Sequence, residues 1–418
     1  MRIETTIKPG LPAFDILCDI SALTVRELRV RIRSAIRASG LKFPNTHVTV
    51  RVAAPFSRTG TQMDLAIALS ILGVELPDGT VVMGELSLGG DVRPCTDVMR
   101  HVKGAPMAIV HPDNYHEAKE VCADVRCVTT LYGAVHGEYV QPAEAHVQHV
   151  HAFPLCMSDI RGHARAKRAL EIAAVGEHHV LFTGQPGCGK TMLARRFTTI
   201  LPPMTRDDSL ATTEIHSEDG LLPARCGLVT QRPFRAPHHT ASASALCGGG
   251  MEPRPGELSI AHNGVLFLDE IAELPRTVLE TLKDPMERGE VKVRGRTMPA
   301  RAIVIGAANP CPCGHAGSST RECTCSEQTL DRYQRRGFAD LPFDMYLDLV
   351  AVAPQTLRHE PPGETSAQIQ ARVIAARQWL RDHPELGTSV AASIAALDRS
   401  ETIQPIHVAE ADSYSRRK

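Results

Sequence analysis

Apolar and polar positions along the chain fall into short runs of two kinds. Residues 48–52 (VTVRV) alternate with a period of two, which predicts a strand with one buried face. Residues 63–72 (MDLAIALSIL) are almost continuously apolar over a helical length, which predicts a helix buried on most sides. Residues 81–86 and 108–110 predict further strands. Together these elements read as one α/β domain over residues 1–140. Residues 141–155 (QPAEAHVQHVHAFPL) lose periodicity and carry proline and histidine, so a linker is expected there. Its His146, His149 and His151 suit a solvated linker or metal ligation.

From Asp159 the pattern changes. A helical stretch (164–174) leads to an apolar strand (180–182), a glycine-rich loop and a helix from Thr191. Residues 265–268 and 302–305 are two more short apolar strands. Strands of this kind, interleaved with helices, predict a parallel sheet covered on both faces. From about residue 364 the chain is helical and alanine-rich. The expected fold class is therefore α/β: a first domain (1–140), a linker (141–155), a sheet domain (156–355) with a cysteine insert (311–325), and a short helical lid (356–418).

Composition narrows the classes. The 418 residues carry 46 Lys+Arg against 47 Asp+Glu, so any nucleic-acid binding must come from a local basic surface. The hydrophobic fraction of 43% excludes global disorder. No stretch approaches the roughly 20 apolar residues of a spanning helix, and the first residues lack the apolar core of a signal peptide. A cytoplasmic protein without a membrane partner is expected. Cysteine clustering in such a chain points to metal or chemistry rather than to disulfides.

The strongest motif is Gly184-Gln185-Pro186-Gly187-Cys188-Gly189-Lys190-Thr191. It fits G-x-x-x-x-G-K-[ST] between a strand and a helix. Glycines let backbone N–H groups converge on phosphate, and the helix adds the positive end of its dipole. Lys190 is expected on the β- and γ-phosphates of ATP and Thr191 on Mg²⁺. A second motif is the strand 265–268 ending in Asp269 and Glu270. It delivers two carboxylates to the strand's C-terminal edge, where open α/β sheets bind ligands. Asp269 is expected in the Mg²⁺ shell and Glu270 as the residue that polarises water. Asn309, just past the strand 302–305, is a candidate sensor of the γ-phosphate.

Cys311, Cys313, Cys323 and Cys325 lie within fifteen residues. Four thiolates at this density suit a closed tetrahedral Zn²⁺ site, with His315 able to replace one; reduced free cysteines are the alternative. Residues 290–296 (EVKVRGR) alternate around a glycine and predict a hairpin presenting Lys292, Arg294 and Arg296 on one face. That face could grip nucleic-acid phosphates or simply be solvated. His238 and His239 sit beside prolines with no third ligand nearby, which reads as loop packing.

Four stretches, GQPGCGKTMLARR (184–196), RPFRAPHHTAS (232–242), GGGMEPRPGELSIAHNGVLFLDE (248–270) and AANPCPCG (307–314), resemble the YifB/ComM family of magnesium-chelatase-like AAA+ ATPases. GLPAFDI (10–16), residues 63–72 and MGELSLGGDVRP (83–94) are similar to that family's Lon-protease-like domain. The resemblance implies an AAA+ module with a helical lid, assembled as a hexamer. It also implies action on single-stranded or branched DNA as a branch-migration helicase of natural transformation. By position it makes Lys190 and Thr191 the Walker A residues, Asp269 and Glu270 the Walker B pair, and Asn309 the first sensor. A Lon-type peptidase is the weaker alternative: Gly60-Thr61-Gln62-Met63 offers no serine nucleophile, and nearby Ser57 has no evident lysine partner.

The last third departs from the family pattern. Where a segment like SGPLLDRID is expected, residues 337–348 contain no arginine, leaving Arg335 and Arg336 just before it. Residues 390–397 are similar to the helix that carries a second sensor arginine, but Ala392 stands at that position. An arginine finger is worth about 10³–10⁵ in rate in phosphoryl-transfer systems. Two functions therefore remain open: an ATP-driven DNA motor, or a nucleotide-binding subunit with little turnover of its own.

Overall fold

The computed structural model describes residues 2–18, 21–53, 61–142, 144–145, 155–250, 253–317, 321–334 and 336–416. Ser57, Gly60, His146, His149, His151 and Arg335 lie outside the described residues. The chain divides into two compact units. One comprises 1–149 with 206–229, the other 150–205 with 230–418.

In the first unit, strand His47–Ala53 is central in a three-stranded sheet. It pairs antiparallel with Arg2–Lys8 and parallel with Ala13–Leu17. Its alternation is the predicted one: Val48, Val50 and Val52 are buried against Leu28, Ile32 and Ile36 of helix Ala22–Ala38. The apolar run becomes a short 3-10 turn and helix Asp64–Ile71, with Met63, Leu65, Ile67, Ala68, Leu69 and Ile71 all buried. Residues 81–86 do not form one strand. Val81–Val82 joins a parallel sheet with Met107–Val110 and Asp124–Cys127, while Glu85–Leu86 pairs with Val92–Arg93. The break falls at Gly84, where a Cβ would stand 2.8 Å from Val92, so the backbone passes too close for a side chain.

Helix Arg206–Glu218 belongs to this unit although the sequence places it after the P-loop helix. Its Ser217 hydroxyl donates to buried Glu117 at 2.6 Å, and Lys103 pairs with Glu214 at 2.9 Å.

The second unit holds a parallel five-stranded sheet in the order Phe234–Arg235, Val265–Leu268, Ile303–Ala308, Val180–Gly184, Met345–Leu349. Alternate residues of each central strand enter different cores. Phe182, Phe267 and Ile305 pack with helices Ala164–Gly176 and Lys190–Phe197; Leu181, Leu266 and Val304 pack with helix Arg276–Arg288. Two buried faces explain why these strands read as continuous apolar runs. Helices Ser366–Asp382, Val390–Leu397 and Pro405–Asp412 pack on the first of these faces. Ala392 is fully buried there, and neighbouring Ser393 meets His178 at 2.8 Å. The segment expected to carry a second sensor is thus a core helix. Among the described residues, no helix is long and apolar enough to cross a membrane.

Candidate active site

Three neighbouring strands of the second unit end side by side. Val180–Gly184 opens into the glycine-rich loop, Val265–Leu268 into Asp269 and Glu270, and Ile303–Ala308 into Asn309. Because the Asn309 strand lies between the other two, all three sets of residues line one cavity of about 600 Å³. Gly187 and Gly189 hold φ of 78° and 100°, a region L side chains rarely adopt, and so the loop can curl. Helix Lys190–Phe197 starts directly from Gly189, which places its N-terminal first turn at the same cavity.

The Lys190 ammonium donates to the carbonyls of Gly184 (2.6 Å) and Gln185 (3.1 Å) and to Oδ1 of Asn309 (3.1 Å). These three acceptors match the three protons of an ammonium. Burial lowers the Lys190 pKa, and Cys188, Asp269 and Glu270 pull it back up. Cys188 itself is buried, and desolvation raises its thiol pKa, which marks it as a packing residue. The Thr191 hydroxyl donates to Oδ2 of Asp269 at 3.3 Å. A hydroxyl and a carboxylate this close are hard oxygen donors of the kind Mg²⁺ takes, together with waters and substrate phosphate.

Glu270 adopts a left-handed backbone conformation (φ 48°), sparsely populated for a non-glycine residue. Its side chain meets Nδ1 of His239 at 3.1 Å. The tandem histidines are therefore more than loop packing: His239 holds the carboxylate expected to orient water.

The cavity is also lined by Arg161, His163, Met192, Ala351, Val352 and Leu357. Burial pushes the His163 imidazole below its ordinary pKa. Sequence reasoning missed these residues and His239. Met192 follows Thr191 directly; the others reach the cavity from separate parts of the chain, with no local pattern to announce them.

The cysteine cluster follows Asn309 directly. Sγ of Cys311 lies 3.3 Å from Cys313 and 3.7 Å from Cys323, and Cys313 lies 3.6 Å from Cys323. All four sulfurs, Cys325 included, lie within 4.8 Å of one another. A tetrahedral zinc–thiolate site with bonds of about 2.3 Å sets its sulfurs about 3.8 Å apart, so the donor set fits. Backbone N–H groups of His315 and Thr324 stabilise the Cys313 thiolate and bring its pKa to about 5, whereas Cys323 is raised to about 12. At Cys323 an N–H from Cys325 acts downward, but desolvation and the neighbouring sulfurs outweigh it. A bound cation would reverse that balance by stabilising all four sulfurs as thiolates. His315 is absent from the cluster.

The basic hairpin forms as Glu290–Val293 and Arg296–Pro299, but not with one basic face. Lys292 opposes Thr297, and Arg296 opposes Val293 on the side of buried Val291 and Met298. Arg296 donates to the carbonyl of Pro253 at 2.8 Å, and Arg294 sits in the turn at φ 48°. Lys292 is exposed and pairs with Glu290 at 2.8 Å.

Two family models match the chain: "Magnesium chelatase, subunit ChlI" over residues 156–356 and "Subunit ChlI of Mg-chelatase" over residues 3–110. The protein YifB of Salmonella typhimurium is 38% identical over 413 residues, covering 91% of this chain and 79% of the relative. Competence protein ComM of Haemophilus influenzae is 36% identical over 410 residues, covering 90% and 79%. The chain belongs to the YifB/ComM family. Its α/β fold, a parallel sheet with helices on both faces, is the magnesium-chelatase-like AAA+ fold. YifB of Escherichia coli aligns at 34% identity over 484 positions, covering 99% of this chain and 94% of the relative. That alignment is longer than the 418 residues here, so this YifB/ComM chain lacks residues its relative carries.

Proposed function

We propose that this chain binds and hydrolyses ATP with Mg²⁺ and uses the cycle to move DNA. One observation carries the hydrolysis reading: Lys190, Thr191, Asp269, Glu270 and Asn309 converge on one cavity. In this reading the P-loop N–H groups and Lys190 hold the β- and γ-phosphates. Thr191 and Asp269 would hold Mg²⁺, which when bound would supply positive charge beside the phosphates. Glu270 orients the attacking water once it leaves His239. Asn309, whose Oδ1 is occupied by Lys190, has its NH₂ donors to offer the γ-phosphate. The apolar lining residues Val352 and Leu357 suit the base.

DNA as the object of the motor rests on membership in a family that includes a competence protein. Exposed Lys292 and Arg294 are the candidate phosphate contacts. A homo-hexamer, a cytoplasmic location, a non-proteolytic first unit and Zn²⁺ at Cys311, Cys313, Cys323 and Cys325 complete the proposal. The test is ATP-dependent unwinding of a branched DNA, with Lys190→Ala as control. Unwinding lost in the variant supports the motor; no unwinding by the wild type at saturating ATP rejects it.

A second reading, a nucleotide-binding subunit with little turnover, is favoured by Arg336. Its guanidinium is engaged within its own chain, by Glu273 at 2.9 Å and the Ala272 carbonyl at 2.9 Å, and lies 5.3 Å from the Tyr333 ring. To serve a neighbouring subunit it has to release these partners.

A further inference from the structure

The cysteine cluster touches both halves of the nucleotide site. Cys311 stands two residues after Asn309, and its sulfur is buried and accepts the backbone N–H of Ala316 at 3.2 Å. The loop then closes on Gly314 (φ 80°), which packs directly on the P-loop: a Cβ there would lie 2.9 Å from Cδ of Pro186. After Cys325 the chain enters helix Glu327–Gln334, whose Tyr333 hydroxyl returns to donate to the carbonyl of Asn309 at 3.1 Å. Both entry and exit of the insert are therefore tied to the sensor residue, and its tip is tied to the loop that holds phosphate.

We propose that a Zn²⁺ ion bound by Cys311, Cys313, Cys323 and Cys325 acts as a positioning device for ATP hydrolysis, clamping Asn309 against Lys190 and Gly314 against Pro186. Bound there, the ion would draw four sulfurs that already lie within 4.8 Å of one another into one set of bonds, and so fix the loop 310–316 between Asn309 and the P-loop. The cysteines touch no substrate; they set where Asn309 points. A displacement of order 1 Å in such a group costs about a hundredfold in rate. Nucleotide affinity depends mainly on the P-loop backbone and Lys190, which stay in place. The inference rests on the hydrolysis reading above, and its test separates the two.

The experiment uses the full chain, reduced and purified, with zinc measured by mass spectrometry. Three protein forms accompany the wild type: zinc stripped by chelator, Cys323→Ser with Cys325→Ser, and Cys325→His, which keeps a ligand. A fourth, Gly314→Ala, keeps all four thiolates but pushes the loop off Pro186. Each is assayed for affinity toward a fluorescent ATP analogue, for kcat, and for hydrogen exchange over 307–316. The wild type should carry one zinc per chain. Stripped and double-Ser forms should bind the analogue within about threefold of wild type, a difference of about 0.6 kcal/mol. They should lose kcat about a hundredfold and exchange faster at 307–316. Added Zn²⁺ should restore the stripped protein, and Cys325→His should retain most activity. Gly314→Ala should keep its zinc and lose kcat. Unchanged kcat after complete zinc removal, or reduced protein that never holds zinc, overturns the proposal. A chain that holds zinc, shows zinc-dependent exchange at 307–316 and yet never hydrolyses ATP rejects the hydrolysis reading while keeping the clamp on Asn309.

Discussion

The Lys190 ammonium and the Asn309 side-chain oxygen meet at 3.1 Å, across 119 residues of sequence. This contact joins the phosphate-binding loop to the strand beside it and separates two roles that substitution can resolve. Lys190→Ala removes the cation from the phosphate site and should abolish measurable binding of an ATP analogue by fluorescence titration. Unchanged affinity would reject the P-loop assignment. Asn309→Ala should bind nucleotide nearly as well but lose about 10²–10³ in kcat, the usual cost of one preorganised donor at a transition state.

His239 restrains Glu270 at 3.1 Å. If the carboxylate must swing free to orient water, His239→Ala should raise DNA-independent ATP hydrolysis several-fold and shrink any stimulation by DNA. Nucleotide affinity should not change. A variant as inactive as Glu270→Gln would instead make His239 part of the catalytic arrangement.

The hairpin gives a graded expectation. Lys292→Glu with Arg294→Glu should weaken DNA binding and flatten its salt dependence by about 0.9 per lost duplex phosphate contact. Arg296→Ala removes the bond to the Pro253 carbonyl and should lower the thermal midpoint instead. Equal DNA affinity in the double variant at two salt concentrations would remove the hairpin from the DNA interface.

In the first unit, Arg31 binds fully buried Asp64 at 2.5 Å, and the Leu86 N–H donates to the same carboxylate at 3.1 Å. Burial dominates and raises the Asp64 pKa from 3.8 to about 6. The folded state therefore holds this proton more tightly than the unfolded chain. The stability it contributes is full below pH 4 and is lost as pH rises through about 6, an effect of about 3 kcal/mol. Urea midpoints of wild type and Asp64→Asn compared at pH 4.5 and 7 should diverge, the wild type losing ground at the higher pH. Parallel behaviour would contradict the assignment.

Much of the site was legible in the sequence because phosphate chemistry dictates local patterns. Glycines at 184, 187 and 189, a lysine and hydroxyl at the helix start, and acids at a strand end are all short-range signals. The strand order that brings Asn309 between them was not written locally. Neither was His239, which arrives from a separate loop. The hairpin was misread for a geometric reason. Lys292, Arg294 and Arg296 share parity, but the two-residue turn at Arg294-Gly295 pairs Val293 with Arg296 and so switches the side on which even positions fall. Helix Arg206–Glu218 carries no mark in composition that ties it to the first unit; its partners Glu117 and Lys103 lie about a hundred residues upstream.

The central claim is that the cavity around Lys190 turns over ATP. Steady-state hydrolysis by the wild type and by Glu270→Gln, each with and without single-stranded and branched DNA, tests it most directly. The account predicts turnover by the wild type that DNA stimulates and that the variant lacks while still binding ATP. Tight ATP binding with wild-type hydrolysis no faster than the variant, in the presence or absence of DNA, would contradict it.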